Sequence, residues 1–125
     1  MNICVQAIPH KEQFYNTVGD WRWDKEGTLQ IRVSKMSDWR YEACVIIHEL
    51  VEAALCKYSG VGQKQVDRFD IAFEKNRKEG DESEPGDSPE APYRTQHCIA
   101  TGVEKIVAAF LGVVWKSYES EINAL

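Results

Sequence analysis

The chain has 125 residues, a formal net charge of −5, and a hydrophobic share of 43%. These values predict one globular domain over residues 1–125 and exclude a largely disordered chain. The acidic excess argues against a main role in binding the phosphates of nucleic acids. No apolar run reaches the roughly 20 residues that span a bilayer, and the first residues carry no secretory signal, so we expect a cytoplasmic protein without a membrane partner.

Residues 1–36 have the composition of β-strands. Asn2–Ile8 is a short β-rich run, and Phe14–Trp23 is rich in aromatic and β-branched side chains. A Lys-Glu-Gly turn signal then leads into Thr28–Ser34, where apolar and polar residues alternate. The pattern predicts a hairpin within a small N-terminal antiparallel sheet.

The periodicity becomes helical after residue 36, which makes the predicted class α+β, with three or four helices after the sheet. An N-cap signal at Ser37-Asp38 and a stop at Gly60 bound the first helix. The predicted segments are a helix over residues 37–59, a helix over residues 63–78, an acidic loop over residues 79–92 and further helices over residues 93–125. On the third helix, which begins at Tyr93, we expect these apolar residues to face the core: Ile99, Val103, Ile106, Val107 and Phe110.

The first helix carries the strongest chemical signal in the chain. Its segment Ala43–Cys56 is apolar or thiol except for His48, Glu49 and Glu52. Carboxylates inside such an apolar helix need a partner or a metal ion. His48 and Glu52 are four residues apart and share a helix face, so both can bind one ion, while Glu49 projects about 100° away and can contact a water on that ion. This geometry is that of the His-Glu-x-x-His motif of zinc peptidases, with a glutamate in place of the second histidine.

A catalytic zinc site usually has three protein ligands and a water. We predict His97, just after the acidic loop, as the third ligand. Glu104 lies two turns further on the same face and is a candidate for a fourth ligand or for a hydrogen-bond partner of a ligand. Asp67 and Asp70 of the second helix are candidates to accept the free ring N–H of a ligating histidine.

Other interpretations of the same residues remain open. His48 can be a core histidine hydrogen-bonded to Glu52 or to an aspartate of the second helix. Glu49 can pair with one of three cationic side chains: Arg40, Lys57 or Arg68. A structural metal site is also conceivable, and its candidate ligands are Cys44, His48, His97 and Cys98. We expect His10 in a turn and the four cysteines reduced.

Several segments together resemble a family of small bacteriophage and prophage proteins. The resemblance covers nearly the whole chain and is carried by these segments: Ile8–His10, Thr17–Trp21, Ile47–Ala53, Val66–Asp70, Glu84–Asp87, Ala91–Tyr93 and His97. It implies a phage origin. Residues 14–58 also resemble a minimal zincin, in which a β-hairpin borders the metal-binding helix. That resemblance implies zinc at His48 and Glu52, with Glu49 as the general base.

The sequence therefore predicts a zincin-like, metal-dependent hydrolase of phage origin that acts in the host cytoplasm on a peptide or another amide. Zinc or another divalent ion is held by His48, Glu52 and His97. The alternative is a non-enzymatic phage protein that binds a host or virion protein, with the buried His/Glu cluster as a structural network or a structural metal site. Its candidate interface anchors are the four tryptophans: Trp21, Trp23, Trp39 and Trp115.

Overall fold

The computed structural model describes residues 1–125 and shows a three-stranded sheet followed by four helices, which confirms the predicted α+β class. The strands are β1 (Ile3–Ile8), β2 (Gly19–Trp23) and β3 (Leu29–Ser34). The helices are α1 (Trp39–Ser59), α2 (Gln63–Lys75), α3 (Arg94–Phe110) and α4 (Trp115–Asn123). Short 3-10 helices cover His10–Glu12 and Pro85–Asp87. None of the helices has the length and apolar character that crossing a membrane requires.

The sheet is mixed, which corrects the prediction of an antiparallel sheet. β2 and β3 form the predicted antiparallel hairpin, with Trp21 opposite Ile31. β1 instead pairs with β3 in parallel, so the strand order is β1-β3-β2. Residues 9–18 are the connection that carries the chain past the position of β3, so β2 begins at Gly19 rather than at Phe14.

The core lies between this sheet and α1. Leu29, Ile31 and Val33 alternate along β3 and are almost fully buried. α1 begins at the predicted N-cap, where the Asp38 carboxylate accepts a hydrogen bond from the Arg40 backbone N–H. It ends at Gly60, whose φ of 75° is the left-handed conformation that glycine adopts without strain. The sequence therefore located both ends of the helix that carries the candidate ligands.

The predicted core face of α3 is wrong for three of its five residues, while Val103 and Val107 are half-buried. The buried residues of α3 are His97, Ala100, Glu104 and Ala108. Ile99, Ile106 and Phe110 are 49%, 72% and 92% exposed. α3 turns its histidine and glutamate toward α1 because their hydrogen-bond partners lie there. Polar pairing with α1, rather than the hydrophobic pattern, thus determines which face of α3 points inward.

The acidic loop is longer than a simple connection and is partly ordered by its own 3-10 helix. α2 ends at Lys75, earlier than predicted, so the loop spans residues 76–93. The 3-10 helix Pro85–Asp87 packs between α2 and α3 and buries Gly86. This contact brings the loop to the first turn of α3, where His97 lies.

Candidate metal centre

Three side chains from two helices converge on one point. His48 and Glu52 lie on successive turns of α1, and His97 lies in the first turn of α3, which packs along α1. His48 Nε2 is 3.2 Å from both Glu52 Oε2 and His97 Nδ1, and His97 Nδ1 is 3.0 Å from Glu52 Oε2. All three residues are buried. The structure thus brings together the three residues that the sequence singled out as ligands.

The triangle of these three atoms is slightly smaller than that of a zinc site. A tetrahedral ion with bonds of about 2.0–2.2 Å keeps its ligand atoms about 3.3–3.6 Å apart. The observed sides of 3.0–3.2 Å need only a small opening to reach that spacing. Two histidine nitrogens and one carboxylate oxygen are also a donor set that catalytic zinc uses. The residues present therefore fit a divalent zinc-type ion.

The outer nitrogen of His48 is held by a buried carboxylate. His48 Nδ1 lies 2.8 Å from Glu104 Oε2, and the other oxygen of Glu104 accepts a hydrogen bond from the Tyr118 hydroxyl of α4. Because a carboxylate accepts, the proton of a neutral His48 sits on Nδ1 and leaves a lone pair on Nε2. Glu104 thus orients a candidate ligand and is not itself a fourth one, since it lies on the far side of the ring.

The acidic loop supplies the corresponding contact for His97. Its Nε2 lies 2.9 Å from Glu84 Oε2 and 3.4 Å from Asp87 Oδ1. These carboxylates favour a proton on Nε2 and a lone pair on Nδ1, the atom that faces Glu52. The loop thus places negative charge beside Nε2 of His97 but, unlike Glu104 at His48, makes no hydrogen bond with it.

Glu52 is fixed by the edge strand of the sheet. Trp21 Nε1 of β2 donates a 3.0 Å hydrogen bond to Glu52 Oε1, which leaves Oε2 to face the two histidines. Trp21 is only 4% exposed. Its role is therefore to orient a carboxylate, and it is not an exposed anchor for a partner.

Without a metal, the pKa values of His48, His97 and Glu52 all favour positive charge on the histidines and negative charge on the carboxylate. Burial lowers the pKa of His97, but Glu52 and Glu84 outweigh it and raise the pKa to about 10. Burial likewise opposes the charged form of His48, while Glu104 and Glu52 raise its pKa well above the usual value. The pKa of Glu52 falls to about 2, since the two histidines overcome the effect of burial. The cluster therefore stabilises positive charge on or between the two histidines.

Glu49 lies beside the cluster and makes none of the expected contacts with cationic side chains. The residue is 8% exposed, and its carboxylate has no hydrogen-bond partner. Arg40, one of the candidate partners, is instead bound to Asp38. Burial, followed by repulsion from Glu52, raises the pKa of Glu49 well above its usual value. A buried carboxylate with a raised pKa and no hydrogen-bond partner is suited to accept a proton once a cation lies nearby.

Gly19 makes room for the Glu49 side chain. A Cβ on Gly19 would overlap the carboxylate of Glu49 and a methyl group of Val45. β2 can therefore approach α1 closely at this point only because residue 19 has no side chain. The sequence shows the glycine but not this contact, because the two residues are 30 positions apart.

Asp67 and Asp70 do not accept a histidine N–H, which corrects that expectation. The Asp70 carboxylate accepts hydrogen bonds from the hydroxyls of Tyr15 and Tyr93. Asp67 lies 3.4 Å from Arg22. The carboxylates that do reach the histidines come from α3 and the acidic loop because those elements, and not α2, border the outer ring atoms.

The remaining candidates lie outside the centre. Neither Cys44 nor Cys98 joins a group of potential ligands with the histidines, and all four cysteines are free thiols. His10 opens a 3-10 helix in the β1–β2 connection, where its ring bonds to Ser34 and Asn16. Sequence reasoning missed the orienting residues Glu84, Gly86 and Tyr118, since nothing local marks contacts that depend on tertiary packing.

A cleft of about 310 Å³ lies over the centre. Its lining includes the three candidate ligands and Glu49. The edge strand β2 and the acidic loop form other parts of its wall. A small substrate group can therefore reach the point on which the ligands converge.

Gly86 offers a direct test of how the loop positions His97. A Cβ on Gly86 would overlap the His97 ring, because the backbone of the loop lies against it. Gly86→Ala is expected to weaken zinc binding by about 10–100-fold and to destabilise the fold by about 1–3 kcal/mol. Zinc titration and thermal unfolding measure both effects.

Gly102→Ala is the matched control for that variant. It lies on α3, and a Cβ there meets only open space. Because alanine favours the helix, this variant should be more stable by about 0.5–1 kcal/mol with unchanged zinc affinity. Equal zinc affinities for the two alanine variants would contradict a positioning role for Gly86.

No protein-family model, curated protein or solved structure matches this chain.

Proposed function

We propose that the chain is a metal-dependent, zincin-like hydrolase of phage origin, with a divalent ion held by His48, Glu52 and His97 and with Glu49 as the general base. The observation that carries the proposal is the convergence of three lone-pair donors within 3.2 Å, while the opposite atom of each side chain faces its own polar partner. Such outer partners are the usual support of a metal ligand.

The proposed chemistry uses each residue at a stated atom. An ion between the three donors would lower the pKa of a water and polarise a carbonyl group of a peptide or another amide. Glu49 would accept the proton of that water as the water oxygen attacks the carbonyl carbon, and would pass it to the nitrogen as the C–N bond breaks. The Glu104 hydrogen bond fixes the tautomer that presents Nε2 of His48 to the ion, and the negative charge of Glu84 favours the tautomer that presents Nδ1 of His97. The hydrogen bond from Trp21 keeps Glu52 oriented with Oε2 toward the two histidines.

The donor count favours a catalytic site over a structural one. Structural zinc sites are closed by four protein ligands, whereas catalytic sites keep a position open. Only three donors converge here, and a cleft leads to them. The alternative of a non-enzymatic binding module has less support from the tryptophans, because Trp39 alone of the four is largely exposed, at 67%.

Metal analysis of the purified chain tests the proposal. Protein purified without chelator is expected to contain about one zinc-type ion per chain and to lose thermal stability when the ion is removed. Co²⁺ should restore the stability and give the visible absorption of a tetrahedral site. Protein that holds no divalent metal and gains no stability from added Zn²⁺ would overturn the proposal.

A further inference from the structure

Charge is distributed very unevenly around the cleft. Ten of the chain's 20 acidic residues line it, but only one of its 15 lysines and arginines does so. Even after a divalent ion has bound, the cleft keeps an excess of negative charge. Walls of low dielectric focus such a field into the cleft and raise the local concentration of cations.

The few cations nearby are already engaged. Arg77, the one basic residue in the lining, pairs with Glu74 at 2.6 Å and lies 3.9 Å from Asp81. Arg22 lies 2.9 Å from Asp20 and 3.4 Å from Asp67. No lysine or arginine is therefore left to receive an anionic group of a substrate.

Glu49 independently indicates that the protein supplies no positively charged group to pair with the carboxylates of the cleft. The residue is more than nine-tenths buried and borders the cleft, and its carboxylate accepts no hydrogen bond from the protein. A buried carboxylate without a partner is costly unless a cation or a donor approaches it. Within the cleft, a metal ion or a group of the substrate can approach the Glu49 carboxylate.

We infer that the hydrolase acts on peptides or amides that carry a positive charge, such as a lysine or arginine side chain close to the bond that is cleaved. This inference rests on the proposed function, because it names the substrate class of that same site. Phosphorylated, nucleotide and acidic peptide substrates are excluded by repulsion from the same carboxylates. Asp81 and Glu82 are exposed carboxylates of the cleft lining, and we assign to them the contact with a long cationic side chain.

Hydroxamates test this inference while the natural substrate is still unidentified, because the hydroxamate group binds the metal and leaves the side chain to probe the cleft. The probes are the hydroxamates of N-acetyl-lysine, N-acetyl-norleucine and N-acetyl-glutamate, which share a similar length and differ in charge. Binding to the Co²⁺-loaded protein is followed by its visible spectrum. We expect the lysine probe to bind about tenfold more tightly than the glutamate probe at low ionic strength, with norleucine between them. High salt should reduce the difference.

A double variant locates the origin of the preference. Asp81→Asn with Glu82→Gln removes two charges from the cleft wall and should reduce the ratio of the lysine to the glutamate affinity. Glu26→Gln with Glu90→Gln removes two charges from exposed positions outside the lining and should leave the ratio unchanged.

The outcomes separate the inference from the function beneath it. Equal affinities for the three probes, or a preference for glutamate, would overturn the inference while the metal site stands. A chain that binds no Co²⁺, or a Co²⁺-loaded chain that takes up none of the hydroxamates, would overturn the proposed function and the inference with it.

Discussion

Replacing Glu49 with glutamine is expected to lower kcat/KM for amide hydrolysis by about 10²–10⁴-fold while one metal ion per chain remains bound. Glutamine keeps the shape of the side chain but cannot accept the proton of the attacking water. Because Glu49 is not among the three converging donors, metal content should not change. Cleavage of a mixture of short peptides, followed by mass spectrometry, measures the rate across many candidate substrates at once.

The same substitution should make the metal-free protein more stable. Burial and repulsion from Glu52 raise the pKa of Glu49 in the folded chain. The folded state therefore binds this proton more tightly than the unfolded state, and stability falls as the pH rises above the unfolded value of about 4.3. Glutamine does not ionise, so the variant does not lose stability in this way. The difference in melting temperature between the variant and the wild type should therefore grow from pH 5 to pH 8.

Glu119→Gln is the matched control, since Glu119 lies exposed on α4 and makes no hydrogen bond. It should change neither the rate nor the stability profile. Full activity of the Glu49 variant would contradict the general-base role. It would favour the non-enzymatic alternative if partner binding were also preserved.

The second large effect concerns the ligands. His48→Ala and His97→Ala are each expected to lower zinc affinity by more than about 100-fold, because each removes one of three protein donors. Competition with a chromophoric chelator measures the affinity, and circular dichroism checks that the helices remain.

His10→Ala is the control offered by the chain itself. The third histidine bonds only to Ser34 and Asn16 in the β1–β2 connection. Its removal should leave zinc affinity unchanged. If all three alanine variants bound zinc like the wild type, the ion would have to lie elsewhere or be absent.

The candidate ligands could be predicted from the sequence because their signal is local. Spacing of four residues places His48 and Glu52 on one helix face, and the apolar segment around them shows that this face is buried. His97 could be proposed only as a histidine near the start of another helix. Trp21, Glu84 and Tyr118 were not predictable as orienting residues, since each lies at least 13 positions from the residue it contacts.

The main errors arose where tertiary pairing overruled a local pattern. The apolar stripe of Ile99, Ile106 and Phe110 predicted the inner face of α3, but hydrogen bonds to His48 and Glu52 turn the opposite face inward. Strand composition likewise predicted β1, but the prediction that the sheet is antiparallel was wrong for this strand. Its parallel pairing depends on the path of residues 9–18, which composition does not encode.

The mixed sheet has a consequence for the order in which the chain assembles. Strands β2 and β3 are joined by a five-residue turn and can pair at once, whereas β1 must wait for β3, more than 20 residues later, before it has a neighbour. Closure of the ligand triangle spans an even longer stretch, from His48 to His97. If a cation binds as proposed, α1 offers two of its three ligands, His48 and Glu52, before α3 has docked. Binding of the cation would then favour the docking of α3 against α1.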